Sequence, residues 1–227
     1  MSSQLLFPGK NIRSTAVIFF LLFVIIILIF LIFFSNNKEQ IFQGDYHVSI
    51  KQNSHNSSLT DVYLYNDITG PEIFFRTISN VYRDHYHAAE FLGGNLYIIE
   101  RNGKADNLSD QNWTDELWKY EQTGDGIKLY SAKGIDFRVS SDAKQIVIFS
   151  QPNIKKVLET TITLIDLNGR VQKTFESNGL PNMDDSKAIT PLFWQGDLFW
   201  FTANQGSTIT DVFTLNGKDL GITLRSK

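Results

Sequence analysis

The stretch Ile135–Phe175, IDFRVSSDAKQIVIFSQPNIKKVLETTITLIDLNGRVQKTF, determines the architecture of this chain. Short runs of Val, Ile, Phe and Thr alternate with Gly, Asn, Asp and Ser, a pattern typical of strands separated by turns. Asn168-Gly169 is a two-residue hairpin signal, which places the strands on either side of it next to each other. The stretch predicts four strands: Ile135–Ser140, Gln145–Ser150, Thr160–Leu167 and Arg170–Phe175.

The same unit recurs along the chain. A strand that leads into a polar turn starts at residues 61, 116, 161 and 211, and a strand–turn–strand element precedes three of these starts, at 87–100, 135–150 and 190–204. One small twisted sheet cannot bury both of its faces, so successive sheets of this kind stack around an axis. The repeats predict an all-β domain of β-propeller type, with three complete blades and a partial one over 45–77 that holds three strands at most. A β-sandwich is the alternative.

The turn of the best repeat carries a family resemblance. Phe137–Phe149 resembles the repeat of TolB-type, WD40-like propellers, in which a Ser-Pro-Asp-Gly turn joins an aromatic-bearing strand to an apolar one. Here Ser141 stands where proline is usual, and Ala143 where glycine is usual. Leu192–Phe201 and Phe91–Ile98 are shorter versions. The resemblance implies a propeller fold and a binding platform, without a particular partner.

Composition excludes several classes of function. The 227 residues include 21 Lys and Arg against 24 Asp and Glu, a net charge of −3, and no cysteine. Disulfides, Cys-ligated zinc, iron–sulfur clusters and a cysteine nucleophile are thereby excluded. The mild acidity argues against a nucleic-acid partner, which favours a basic face.

The N-terminal region predicts a membrane anchor. Ala16–Phe34 is 19 residues without a polar side chain, and as a helix it would span roughly 28 Å, close to the thickness of a bilayer core. Lys10 and Arg13 precede it, so the positive-inside rule places the N-terminus in the cytoplasm. We therefore expect a cytoplasmic tail (1–15), a transmembrane helix (16–35), a linker (36–44) and an exterior domain (45–227). A cleavable signal peptide is the alternative.

Two groups of residues have the chemistry of metal ligands. His85 and His87 would point to the same side of a strand and, with Asp84 or Glu90, could bind a metal such as zinc. The alternative is a polar loop whose histidines bond to the backbone. The acidic run Asn182–Ser186 could offer oxygen ligands to calcium, although it lacks the spacing of a known calcium loop. A solvated acidic loop is the favoured interpretation, and no cofactor is expected.

The tryptophans are candidates for ligand contact. Trp118, Trp194 and Trp200 lie in strand patterns, which favours packing between blades. Trp113 lies in a polar stretch, so we expect it to be exposed and to be a candidate binding residue.

No catalytic motif accompanies these patterns: the sequence has no G-x-S-x-G, H-E-x-x-H or P-loop. We therefore expect a single-pass, membrane-anchored, extracytoplasmic binding or scaffold protein whose partner is a protein or an envelope component. Two alternatives remain at this stage, an exterior hydrolase acting on glycans or peptides and a membrane sensor.

Overall fold

The computed structural model describes residues 46–66, 70–79, 81, 88–103, 113–121, 124–151, 159–184 and 186–226. All of them belong to one of the two units into which the chain divides, Phe42–Lys227. The predicted tail, transmembrane helix and linker lie outside the described residues. Within the described part of the chain, no helix is both long enough and apolar enough to cross a membrane.

The described residues form four antiparallel sheets whose strands follow one another in chain order. We call them blade 1 (β1–β3), blade 2 (β4–β7), blade 3 (β8–β11) and blade 4 (β12–β15). A 3₁₀ turn over Ser177–Gly179 follows blade 3. The strands are β1 His47–Gln52, β2 Leu59–Tyr65, β3 Ile73–Ser79, β4 Ala89–Leu92, β5 Asn95–Asn102, β6 Thr114–Tyr120, β7 Ile127–Ala132, β8 Asp136–Val139, β9 Gln145–Ser150, β10 Thr161–Asp166, β11 Val171–Glu176, β12 Ala188–Gln195, β13 Leu198–Gln205, β14 Thr208–Asn216 and β15 Ile222–Ser226.

The predicted meander is confirmed in all four sheets. The four strands of blade 3 begin and end within one residue of their predicted bounds. Blade 1 has three strands, as expected for the partial repeat. The pairing of β1 with β2 corresponds to that of β5 with β6 in blade 2. Strand β1 is therefore the counterpart of the second strand of a complete blade. Within the described residues, blade 1 therefore lacks a counterpart of the innermost strands β4, β8 and β12.

The conformation of the β8–β9 turn favours glycine at position 143. Ala143 has a φ of 51°, in the left-handed region that disfavours a side chain. Side chains hold the turn in this conformation: the Ser140 hydroxyl donates to Asp142 at 2.8 Å and accepts the N–H of Gln145 at 2.9 Å. These bonds stabilise a turn that lacks both the usual proline and the usual glycine.

Strand β9 is apolar throughout because both of its faces are buried. Ile146 and Ile148 face blade 2, whereas Val147 and Phe149 face blade 4. Strand β5 divides in the same way, with Tyr97 directed towards blade 3. Because side chains alternate along a strand, blades 2 and 3 each direct one set of apolar side chains at the preceding blade and another set at the following blade.

Three apolar cores join successive blades, which is the packing of a propeller rather than of a two-layer sandwich. Each fully buried large side chain contributes about 1.5–3 kcal/mol to the stability of its core. The principal contacts are Val62, Leu64 and Ile78 with Leu96, Ile98 and Tyr120 between blades 1 and 2; Tyr97, Ile99 and Leu117 with Phe137, Ile146 and Ile148 between blades 2 and 3; and Val147, Phe149, Ile162 and Leu164 with Phe199, Phe201 and Phe213 between blades 3 and 4.

The Asn168-Gly169 turn requires glycine at its second position. Gly169 has a φ of 78°, and a Cβ there would lie 2.4 Å from the carbonyl oxygen of Leu129 in blade 2. We expect Gly169→Ala to lower the free energy of unfolding by about 2–4 kcal/mol, since it combines left-handed strain with a backbone clash. Denaturant unfolding of the full chain would measure the change.

Gly196→Ala is the matched control for that substitution. Gly196 has a φ of 57°, and nothing lies within 4 Å of a Cβ built there. The free energy of unfolding of Gly196→Ala should therefore fall only by the cost of a side chain in the left-handed region, about 1–2 kcal/mol. Equal losses in the two variants would show that the contact with Leu129 contributes nothing.

Candidate functional site

A cavity of about 620 Å³ opens where the innermost strands of the blades converge. All four blades contribute to its wall. Ligand sites prefer such concave surfaces on a rigid scaffold. The side chains most relevant to binding are His47 and Tyr65 from blade 1, Glu90 from blade 2, Arg138 from blade 3 and Phe193 from blade 4.

Two cross-blade hydrogen bonds fix the strands around the cavity. Glu90 on β4 accepts the backbone N–H of Val139 on β8 at 2.8 Å. The indole N–H of Trp194 on β12 donates to the carbonyl oxygen of Arg138 at 3.2 Å. Blades 2, 3 and 4 are therefore tied together beside the cavity as well as through their cores, which gives its wall a defined shape.

The charges in the wall are already engaged by neighbouring groups. One guanidinium nitrogen of Arg138 bonds to the carboxylate of Asp136 at 2.5 Å and to the carbonyl of Phe137 at 2.6 Å. Glu90 is held by its backbone partner. The wall therefore has polar groups in fixed orientations, and these orientations suit recognition of a ligand.

Aromatic rings form the rest of the wall. His47 and Tyr65 stack with ring centroids 5.3 Å apart, and Tyr46 meets Phe91 edge-on at 5.5 Å. Phe193 is 54% exposed although it is a large apolar side chain. Ring faces of this kind can stack on planar or apolar groups of a ligand.

Trp113 is not exposed, and that sequence-based expectation is wrong. Its side chain is only 4% exposed at the start of β6. The Arg101 guanidinium lies over the indole, 3.8 Å from the ring centroid, and both nitrogens of its fork bond to Asp115. A cation above an indole is itself a stabilising contact. The role of Trp113 in binding stays a prediction.

The other tryptophans behave largely as expected. Trp118 packs against the core between blades 1 and 2, and Trp194 against the core between blades 3 and 4, which confirms inter-blade packing for both. Trp200 is only half-buried on the face of β13 that points away from blade 3, and its indole N–H is buried without a hydrogen-bond partner.

The predicted zinc site, His85 and His87, lies outside the described residues. Its proposed helper Glu90 is described and bonds to Val139. Among the described residues, no three His, Asp or Glu side chains gather as a metal site would require. The histidine pair stays a prediction.

Within the acidic run Asn182–Ser186, Asp184 is held by donors of the same loop. Asp184 accepts the backbone N–H of Ser186 at 2.8 Å. The hydroxyl and the N–H of Ser186 both lower the pKa of the Asp184 carboxyl. The ammonium of Lys187 bonds to the carbonyl of Asn182 at 2.6 Å and to Asp211 at 2.9 Å. The calcium site stays a prediction.

A buried polar cluster lies between blades 1 and 2. The Tyr120 hydroxyl donates to Glu100, and the guanidinium of Arg76 lies 4.2 Å from the centroid of the Tyr120 ring. Burial raises the pKa of the Glu100 carboxyl, and the bond from Tyr120 opposes this shift. Burial and the contact with Glu100 also raise the pKa of Tyr120.

Glu100 makes the stability of the fold depend on pH. Its folded pKa lies above the ordinary value of 4.5, so the folded state binds the proton more tightly than the unfolded state. The contribution of protonated Glu100 to the stability of the fold is therefore full below the ordinary pKa, and it is lost as the pH rises through the folded pKa. We expect the stability of Glu100→Gln relative to the wild type to increase as the pH rises from below the ordinary carboxyl pKa through the raised pKa of Glu100. Urea unfolding of both proteins at several pH values would measure this difference in the free energy of unfolding. A difference that does not change with pH would contradict a raised pKa for Glu100.

Sequence reasoning missed Arg138 and Phe193 and gave Glu90 a different role. In their blades these three residues occupy equivalent positions, opposite Tyr97, Val147 and Trp200 on the neighbouring strand. The available signal was this shared place in the repeat, directly before the first turn of each blade.

Comparison with known proteins supports the fold. No protein-family model and no curated protein matches the chain. The β-propeller domain of the Trilobed protease from Pyrococcus furiosus, described as having an open velcro topology, is 16% identical with a TM-score of 0.50, over 82% of this chain and 58% of that one. Acylaminoacyl peptidase from Pyrococcus horikoshii is 14% identical with a TM-score of 0.49, over 83% of this chain and 34% of that one. The chain thus spans less than two thirds of these structures, and the likeness to the Pyrococcus furiosus domain supports a β-propeller-like fold. The TolB-type resemblance stays a prediction.

Proposed function

We propose that this chain is a membrane-anchored, non-enzymatic binding protein that receives its partner in the cavity between the innermost strands. The cavity wall is the observation that supports this most directly, because all four blades contribute to it and cross-blade bonds fix its shape. The partner class that fits is a protein or another component of the cell envelope, which would meet the propeller outside the membrane.

The anchor rests on the sequence. Ala16–Phe34 is apolar throughout and is preceded by Lys10 and Arg13. An N-terminus in the cytoplasm and a propeller on the opposite side of the membrane follow from these features. The full chain should stay in the membrane pellet after alkaline carbonate extraction, and a protease added outside should reach the propeller. Release of the chain into the supernatant would contradict the anchor.

The wall suits binding because it combines exposed ring surface with oriented polar groups. Phe193 offers its ring to the cavity, and Arg138 and Glu90 hold fixed positions next to it. A preorganised surface of this kind loses little conformational entropy when a ligand binds.

A photo-crosslinking residue at Ser141 tests the site. Ser141 is exposed and lies in the cavity wall. Illumination of native membranes should give a discrete adduct at this position, whose second component mass spectrometry identifies. The matched control is Val171, which is 57% exposed on β11, the outermost strand of blade 3. Equal adducts at both positions, or none at Ser141, would refute a binding site in the cavity.

A further inference from the structure

Among the described residues, the stack of blades leaves one sheet face without a packed neighbour at each end. The blade 1 end face, on the side away from blade 2, comprises His47, Tyr63, Tyr65 and Phe74. The blade 4 end face, on the side away from blade 3, comprises Phe193, Trp200, Asn204 and Ile209. Strand alternation defines both faces, because Val62 and Leu64 point into one core and Phe199 and Phe201 into another.

Exposed apolar surface is concentrated on these end blades. Among the described residues, six large hydrophobic side chains are exposed, and four of them, Phe74, Leu192, Phe193 and Ile209, belong to blades 1 and 4. Phe74 packs edge-on against Tyr63, with ring centroids 5.7 Å apart. Contiguous exposed apolar residues mark interaction surfaces.

The blade 4 end face also holds polar atoms that lack partners. The indole N–H of Trp200 and the amide oxygen of Asn204 are buried, and neither has a hydrogen-bond partner. The two residues lie four positions apart on β13, so they share this face. Buried polar atoms without partners cost free energy, so this face carries an unfavourable contribution in the single chain.

We propose that a second copy of this chain covers both end faces, with blade 4 of each copy packed on blade 1 of the other. The reason is the repeat itself. Each blade has one face towards the preceding blade and one towards the following blade. Each internal core joins the second kind of face on one blade to the first kind on the next. Among the described residues, the two end faces are the unmatched members of this same pair, so head-to-tail docking of two copies would join their eight described blades into one ring. Eight blades lie within the usual range for propellers.

The area of the faces favours a closed pair over a single contact. Three to four strands about 4.8 Å apart and about six residues long give roughly 300–400 Å² per face. One head-to-tail contact would bury roughly 600–800 Å² in total, the size of a crystal contact. Two contacts between the same pair bury roughly 1,200–1,600 Å², the range of stable interfaces. The closed two-copy ring is therefore the assembly that the faces can support.

The first test is the oligomeric state of the full chain in a mild detergent, by light scattering. We expect two chains per particle. Phe74→Glu and Ile209→Glu should each weaken the dimer about tenfold or more, because each places a charge in an apolar contact. Val171→Glu, on the outermost strand of blade 3, is the matched control and should leave the dimer intact. A monomeric wild type would overturn the proposal, as would dimers that are insensitive to both end-face variants.

The second test uses the absence of cysteine from the chain. A Phe74→Cys protein is mixed with an Ile209→Cys protein and oxidised under mild conditions. Head-to-tail docking predicts disulfides between the two forms and few within either form alone. Crosslinks formed mainly by Ile209→Cys alone would indicate a different, face-to-face pairing and would overturn the proposal. His47, Tyr65 and Phe193 belong both to an end face and to the cavity wall, whereas Phe74 and Ile209 lie outside the wall, so these two substitutions leave the proposed binding residues in place.

Discussion

Replacement of Asp115 by alanine is expected to lower the free energy of unfolding by about 3–5 kcal/mol. Asp115 is fully buried. Its oxygens bond to the Arg101 guanidinium at 2.8 and 3.1 Å, and one of them also accepts the N–H of Ile135 at 3.3 Å. The variant would leave a largely buried guanidinium without its counter-charge and would remove a bond between blade 2 and the start of blade 3. Denaturant unfolding of the full chain would measure the loss.

Asp197→Ala is the control for that prediction. Asp197 forms an ion pair with Lys218 at 2.6 Å, but both side chains are mostly exposed. Exposed pairs contribute at most about 1 kcal/mol, so this variant should be close to the wild type. A loss at Asp115 no larger than that at Asp197 would show that the buried pair is not a structural link between blades.

Phe201→Ala is expected to destabilise the fold by a similar amount, about 3–5 kcal/mol, through a cavity between blades 3 and 4. Phe201 is fully buried. Its ring stacks on Phe213 with centroids 5.2 Å apart and meets Phe149 of blade 3 at 5.9 Å. Alanine would remove these contacts from the core, and chemical denaturation would report the change.

Val171→Ala is the matched control for the loss of Phe201. Val171 is exposed on an outer strand, where truncation should change the stability by less than about 0.5 kcal/mol. If Phe201→Ala unfolds at the same denaturant concentration as this control, blades 3 and 4 do not depend on their shared aromatic core.

Strand order and blade number could be predicted from the sequence because their causes are local. A continuous apolar run such as that of β9 is typical of a strand buried on both faces, and Ile146 and Val147 do face different neighbours. The partial first repeat indicated three strands, and β1–β3 are the strands observed. Alternation and turn residues act over a few positions, so one sequence contains them.

The site could not be predicted in the same way, because stacking brings together residues from separate hairpins. Glu90 and Arg138 belong to different blades; the sequence suggested Glu90 only as a metal ligand and showed Arg138 only as a charge in an otherwise ordinary strand. Trp113 was misjudged for a related reason. Its polar sequence neighbours suggested exposure, whereas the guanidinium of Arg101, on the adjacent strand, covers its ring. Local composition does not report such contacts between strands.

The serial packing of the blades also determines where the fold should open first. Blade 4 shares one apolar core with the rest of the described chain, whereas blade 3 shares two. The opening of a terminal repeat therefore breaks one nearest-neighbour coupling, and the opening of a central repeat breaks two. In a single chain separated from its second copy, amide protons of β14 should consequently exchange with solvent faster than those of β9, so that the chain frays from its end blades and retains its middle longest.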